Sequence, residues 1–141
     1  MKHILIINSN YYKAISKNLV DNAVKKLILA KIKVSIIVVP GIFEIPIAIR
    51  KNIKKYDGFV ALGCVIKGET PHFDLISSST FNAIMEISIS YNKPIGNGII
   101  TALNTRQAIA RSNKFNSNKP NKGSEAAQAV VSILKNEPKK I

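Results

Sequence analysis

Disulfide bonds and membrane spans are both missing from this sequence. The chain has 141 residues and a single cysteine, Cys64, so no disulfide can form within it. No apolar segment approaches the ~20 residues that a membrane-spanning helix needs, and the N-terminal residues lack a signal-peptide cleavage pattern. The length fits one domain that buries a core without a structural metal. We therefore expect one cytoplasmic domain over residues 1–141, with 136–141 as a frayed tail, and no contact with a membrane.

Acidic residues are scarce in the chain. Only eight Asp and Glu stand against 21 Lys and Arg, which gives a formal charge of +13. This excess of positive charge has three possible explanations: a surface that binds nucleic acid, attraction of anionic substrates, or compositional bias. The lysines are scattered, arginine occurs only at Arg50, Arg106 and Arg111, and isoleucine and asparagine are also abundant. This pattern favours compositional bias, leaves attraction of anionic substrates open, and argues against nucleic acid as a partner.

Common metal and nucleotide motifs are missing as well. The sequence has no HxxxH or CxxC spacing, and no GxGxxG follows a strand-like run. Residues 63–70 nearly match the Walker A spacing GxxxxGK[ST], but Glu69 stands in place of the lysine. A carboxylate at that position would repel the phosphates of a nucleotide triphosphate. We therefore expect no metal, no dinucleotide and no triphosphate hydrolysis, although N–H groups near a helix start could still hold an anion.

Apolar strand-like runs alternate with helical patterns along the whole chain. The predicted strands are residues 4–7, 34–39, 59–66 and 95–103. The predicted helices are residues 15–30, 45–54, 74–91, 105–111 and from 122 or 123 onward, with a loop over 114–121. Asn104 or Thr105 should cap the fourth helix, and Gly96 and Gly98 should let a ligand approach the fourth strand. The apolar positions of the third helix are supplied by Ile76, Phe81, Ile84, Ile87 and Ile89. Such alternation is typical of an α/β fold, with a parallel sheet between two helical layers.

Polar and aromatic residues follow several of the predicted strands. Tyr11 follows the first strand, Phe43 and Glu44 follow the second, and Thr70 and His72 follow the third. Ligands of open α/β sheets bind outside the carboxyl ends of the strands. An imidazole can move protons in both directions near neutral pH, and an aromatic ring beside a carboxylate can hold a planar, hydroxyl-bearing ligand. The pattern predicts a small-molecule site, while a surface histidine and a rigid turn with Phe43 on the core remain alternatives.

Two further residues also have both a functional and a structural interpretation. Arg111, at the end of a predicted helix, could form a bidentate pair with phosphate, but taken alone it is more typical of a solvated arginine. Cys64 lies within the apolar third strand and is interpreted as a buried core thiol.

Four segments in this order resemble the lumazine synthase family. They are residues 40–46 (PGIFEIP), 62–74 (LGCVIKGETPHFD), 94–99 (PIGNGI) and 121–123 (NKG) before an alanine-rich helix. The resemblance covers essentially the whole chain and implies a flavodoxin-like three-layer αβα sandwich with a four-stranded parallel sheet. It implies the riboflavin-pathway condensation of 5-amino-6-(D-ribitylamino)uracil with 3,4-dihydroxy-2-butanone 4-phosphate to give 6,7-dimethyl-8-ribityllumazine, phosphate and water.

The resemblance also implies a homo-oligomer with active sites between subunits and no cofactor or metal. Family members form pentamers or shells of sixty subunits. The Asn- and Lys-rich segment before Lys122 is long, and the chain starts directly at the first predicted strand. Both features favour a lone pentamer.

Site residues follow from the resemblance by position. Those implied to hold the pyrimidine substrate are Tyr11 by stacking, Ile42, Phe43 and Glu44 in the turn after the second strand, and Cys64, Val65 and Ile66 through their backbone. Those implied to hold the phosphate substrate are Glu69 and Thr70 through N–H groups and Arg111 across the subunit interface, with Lys122 assisting. Asn97 is implied to meet the neighbouring subunit, and His72 to transfer protons. A non-catalytic carrier of ribityl ligands on the same fold is the alternative function.

Overall fold

The computed structural model describes residues 1–113 and 120–141. These residues form four strands and five helices: β1 His3–Ser9, α1 Lys13–Leu29, β2 Lys33–Val39, α2 Ile45–Lys51, β3 Gly58–Ile66, α3 His72–Tyr91, β4 Ile95–Ala102, α4 Thr105–Arg111 and α5 Lys122–Lys135. A 3₁₀ turn, Ile42–Glu44, precedes α2. Each predicted strand and helix is present, with its ends shifted by at most a few residues. Most of the loop predicted over 114–121 lies outside the described residues.

The strands form one sheet in the order β2-β1-β3-β4, and every neighbouring pair is parallel. Helices α1 and α5 pack on one face, and α2 and α3 pack on the other. The central strands β1 and β3 are covered on both faces, which explains why their sequences are continuous apolar runs instead of alternating patterns. The predicted α/β class and three-layer αβα sandwich are confirmed.

Successive residues of β1 feed two separate cores. Ile4 and Ile6 point toward α1 and α5, whereas Leu5 and Ile7 point toward α2 and α3, and all four are 0% exposed. This division follows from the two-residue period of a strand. Fully burying one such side chain contributes about 1.5–3 kcal/mol, so the sheet is held firmly from both faces.

Two glycines of β4 make room for α5. A Cβ on Gly96 would lie 2.2 Å from the Ala126 carbonyl oxygen, and a Cβ on Gly98 would lie 3.1 Å from the Ala126 Cβ. A side chain at either position would force the helix away from the sheet. The prediction that these glycines allow a ligand to approach is therefore wrong, because the backbone of Ala126 occupies that space at Gly96 and the side chains of Leu62 and Ala126 occupy it at Gly98.

The ends of the helices follow the local sequence signals. Asn104 caps α4, since its Oδ1 accepts a hydrogen bond from the Gln107 N–H, as predicted. On α3, Ile84 is buried as expected, but Ile89 is 73% exposed. These two residues are five positions apart, which places them about 140° apart around a helix with 3.6 residues per turn. Ile89 therefore cannot share the buried face.

Candidate active site

A cavity of about 660 Å³ opens at the carboxyl edge of the sheet. It lies among the ends of β1 and β3, the 3₁₀ turn and the first turns of α3. Eight of the residues predicted to form the site line it: Tyr11, Ile42, Phe43, Glu44, Cys64, Val65, Ile66 and His72. The volume lies within the range of about 300–1,000 Å³ typical of small-molecule sites. We call this the edge cavity.

Chain geometry brings these residues together. β1 ends at Ser9 and α1 begins at Lys13, so Tyr11 lies in the short loop between them. β2 ends before Pro40, and the 3₁₀ turn that follows presents Phe43 and Glu44. Because parallel strands all end at the same edge of the sheet, these short loops converge with the end of β3.

Aromatic side chains stand on the rim of the edge cavity. Tyr11 is 74% exposed and Phe43 is 64% exposed, which is unusual for large rings. The rings of Tyr11 and Tyr12 meet edge to face with centroids 5.0 Å apart. Partial burial raises the pKa of the Tyr12 hydroxyl above its ordinary value, so this group is neutral at pH 7. Exposed rings beside Glu44 offer stacking surfaces to a planar ligand.

Cys64 contributes to the edge cavity as a neutral, buried group. The residue is 7% exposed and packs in the core beneath α1 and α5. Burial raises the pKa of its thiol to about 11. The thiolate is the nucleophilic form of cysteine, and at neutral pH almost none of it is present here. The interpretation of Cys64 as a core thiol is confirmed.

His72 is the first residue of α3 and lies exposed at the cavity mouth. Its backbone N–H donates to Thr70 Oγ1 at 3.5 Å. Glu69 and Thr70 are exposed in the loop between β3 and α3, and they are not among the residues that line the edge cavity. Their neighbourhood is the N-terminus of α3, where backbone N–H groups lack partners within the helix. An anion could bind there without entering the edge cavity.

The remaining predicted residues line a second cavity of about 230 Å³. It contains Asn97 of β4, Arg111 at the end of α4 and Lys122 at the start of α5, together with Glu125. Arg111 Nη1 donates to the Gln107 carbonyl oxygen at 3.2 Å, which holds the guanidinium near its own helix. The two cavities share no lining residue. The predicted site residues are thus divided between two cavities and, for Glu69 and Thr70, the loop before α3.

Six residues that line the edge cavity were not among the predicted site residues: Tyr12 and Gly41 adjoin predicted residues, and the other four are Ser9, Leu75, Ile76 and Ser79. Ser9 ends the first strand, and a polar residue at that position is the signal that could have identified it. The other three lie in the first two turns of α3. The local pattern of α3 does not reveal which of its residues face the 3₁₀ turn.

Neither a metal site nor a membrane-spanning helix is present in the described part of the chain. No group of three or more His, Cys, Asp or Glu side chains there could hold a metal ion. Among the helices over 1–113 and 120–141, none is both long enough and apolar enough to cross a membrane.

The parallel sheet and the aromatic, partly polar cavity at its carboxyl edge define an α/β protein that binds a small organic molecule. Residues 1–137 match the model of one protein family, 6,7-dimethyl-8-ribityllumazine synthase. The chain belongs to the 6,7-dimethyl-8-ribityllumazine synthase family.

Three relatives named 6,7-dimethyl-8-ribityllumazine synthase illustrate the similarity. The chain is 43% identical over 136 residues to a protein of Bartonella henselae, covering 94% of this chain and 86% of the relative. It is 40% identical over 136 residues to one of Bartonella tribocorum, covering 94% and 90%. It is 38% identical over 140 residues to one of Agrobacterium fabrum, covering 94% and 95%. The resemblance identified from the four sequence segments is confirmed.

Proposed function

We propose that the chain condenses 5-amino-6-(D-ribitylamino)uracil with 3,4-dihydroxy-2-butanone 4-phosphate to form 6,7-dimethyl-8-ribityllumazine in riboflavin biosynthesis. The observation that carries this proposal is the family match over residues 1–137, which includes every residue of the edge cavity. The protein is accordingly a transferase. It needs no cofactor, since the two substrates condense with loss of phosphate and water and without net oxidation or reduction.

The pyrimidine substrate would bind in the edge cavity. Exposed Tyr11 and Phe43 offer ring faces for stacking, and the Glu44 carboxylate can accept hydrogen bonds from ribityl hydroxyls. At the carboxyl end of β3, the backbone groups of Val65 and Ile66 would form hydrogen bonds with the edge of the uracil ring. This arrangement would hold the exocyclic amine of the pyrimidine near His72.

The phosphate substrate would be held by groups from two subunits. Arg111 and Lys122 offer positive charge in the second cavity, and the start of α3 beside Glu69 and Thr70 offers backbone N–H groups. Because the two cavities share no residue, a neighbouring subunit would bring its second cavity against the edge cavity of the first. Asn97 would then contribute from the same neighbouring subunit.

The proposed chemistry needs proton transfer and orientation more than strong activation. The pyrimidine amine attacks the substrate ketone and loses water to form an imine. Phosphate leaves, the resulting enol tautomerises, and the ribityl-bearing nitrogen closes the second ring with loss of a further water. His72 would move protons in the dehydration and in phosphate loss. Holding both substrates in reactive contact would supply most of the acceleration.

The divided site supports a homo-oligomer, and a pentamer is the size that the family resemblance favours. One face of α3 presents Leu75, Met85 and Ile89 with 65%, 61% and 73% exposure. Exposed apolar residues on one helix face mark surfaces that associate with other chains. A second copy covering this face would bury them. The cytoplasmic location expected from the sequence stays a prediction that cell fractionation can check.

One assay separates the proposed enzyme from a non-catalytic carrier and from a basic nucleic-acid-binding module. Both substrates are mixed with the protein, and the fluorescence of the lumazine product is followed over time. We expect product to form faster than in protein-free controls and in proportion to protein concentration. A carrier would bind ribityl ligands without raising the rate. A nucleic-acid-binding module would instead bind nucleic acid tightly, and its affinity would fall steeply as the salt concentration rises.

A further inference from the structure

Ser9 is a buried residue whose hydroxyl has no hydrogen-bond partner in the described part of the chain. It ends β1, lines the edge cavity and is 2% exposed. Among the described residues, none offers the Ser9 Oγ a hydrogen bond. Beside it on β3 stands Gly63, which has no side chain and whose added Cβ would lie 3.6 Å from that Oγ. Such a hydroxyl is unfavourable in the unliganded protein, because it has lost its hydrogen bonds to water and gained none.

Two other buried hydroxyls share this property but not this position. The side chains of Ser77 and Thr80 also lack a hydrogen-bond partner within 1–113 and 120–141. Both residues lie on α3, and neither lines the edge cavity. Ser9 differs from them because it is a lining residue of the edge cavity, where a substrate would bind. Position in the cavity, and not burial alone, therefore distinguishes it.

We propose that the Ser9 hydroxyl is a further substrate-binding group, which forms a hydrogen bond with a hydroxyl or carbonyl oxygen of the pyrimidine substrate. The inference rests on the proposed function, because that reaction supplies the ligand. A serine hydroxyl turns about a single bond and can donate to an oxygen. Its partner would be either a uracil carbonyl or a ribityl hydroxyl, and both have the same hydrogen-bonding chemistry. Substrate binding would thus satisfy a group that the fold leaves unsatisfied.

The Ser9→Ala variant tests this with two measurements. Its stability without ligand should be unchanged or greater, whereas its affinity for the pyrimidine should be lower. The unliganded variant should unfold at the same or a higher temperature than the wild type, because an unsatisfied buried hydroxyl has been removed. Its Kd for 5-amino-6-(D-ribitylamino)uracil, measured by calorimetry without the second substrate, should rise about fivefold, as expected for the loss of one neutral hydrogen bond. The KM for the butanone phosphate should stay unchanged.

Thr80→Val is the matched control, since it removes a buried hydroxyl that lacks a hydrogen-bond partner among the described residues and does not line the edge cavity. It should leave the Kd for the pyrimidine unchanged. A parallel titration with 5,6-diaminouracil, which lacks the ribityl chain, locates the bond. Weaker binding of this ligand to Ser9→Ala assigns the bond to the ring, and unchanged binding assigns it to the ribityl chain.

An unchanged Kd of Ser9→Ala for the full pyrimidine would overturn the inference, as would an equal loss of affinity in Thr80→Val. Calorimetry needs no turnover, so the two proposals can fail separately. A wild-type protein that binds the pyrimidine but forms no lumazine would overturn the proposed function alone.

Discussion

His72 is the edge-cavity residue whose side chain type can both accept and donate a proton near neutral pH. It lies at the first position of α3, where the loop after β3 delivers it to the cavity mouth. Glu44 also lines the edge cavity, and it belongs to the 3₁₀ turn. The chemistry that a single residue can perform depends on its side-chain type and on its position after the end of a strand. Both can be predicted from the sequence.

We expect His72→Ala to lower kcat by ~10²-fold or somewhat more while leaving measurable turnover, because proton transfer by a positioned side chain typically contributes ~10²–10⁴-fold. Orientation of the two substrates survives the change, so the KM values should move little. Steady-state lumazine fluorescence measures both parameters. His72→Gln keeps hydrogen bonding without proton transfer, and it should be as slow as His72→Ala. A folded His72→Ala variant with wild-type kcat, or with no detectable product, would contradict this role.

The sequence predicted, by residue type, several side chains that line the edge cavity, but it did not explain each small residue. Phe43 and Glu44 were predicted because an aromatic and a carboxylate follow a strand. Gly96 and Gly98 were misread, since a missing side chain looks the same whether a ligand or a helix occupies the space. Ser9 was missed because its lack of a partner depends on neighbours distant in the chain.

At the scale of elements, α1 and α5 approach one another closely at Gly123. A Cβ on Gly123 would lie 2.3 Å from the Leu19 carbonyl oxygen, which is backbone and cannot move alone. The two helices share one core with Leu19, Ala127 and Val130, all 0% exposed. This close contact positions the start of α5, and with it Lys122 in the second cavity.

Gly123→Ala should therefore lower the free energy of unfolding by about 1–3 kcal/mol, the usual cost of overpacking a close contact. Gly68→Ala is the control, because a Cβ there meets nothing within 4 Å, and its effect should stay within about 0.5 kcal/mol. Denaturant unfolding at equal subunit concentrations measures both. Equal stability of the two variants would show that the α1–α5 contact relaxes without strain.

The strands and helices were predicted well because each has a strong local signal. β1 and β3 are continuous apolar runs, and Asn104 is a standard cap. The split of the site into two cavities was not predicted from these signals, because it depends on how α4 and α5 pack around β4. That information lies in tertiary packing and not in any single segment.

For the whole molecule, the division of the predicted site residues between two cavities means that association of subunits would be needed to complete each active site. Arg111 and Lys122 line one cavity, and His72 and Phe43 line another, without a shared residue. The exposed α3 face with Met85 and Ile89 offers a surface that a second copy could cover. The formal charge of +13 gives no such indication, because the scattered lysines mark no single contact surface. An isolated subunit should thus bind the butanone phosphate weakly and turn over little.

Mixed oligomers test this expectation. One variant carries Phe43→Ala with His72→Ala and is damaged in the edge cavity, and the other carries Arg111→Ala and is damaged in the second cavity. If neighbouring subunits build each site, refolding the two together at random leaves about a quarter of the adjacent pairs with both halves intact. Lumazine formation should then recover to about a quarter of the refolded wild type. Each variant refolded alone is the control. A mixture no more active than the mean of its two components would show that each site belongs to one subunit.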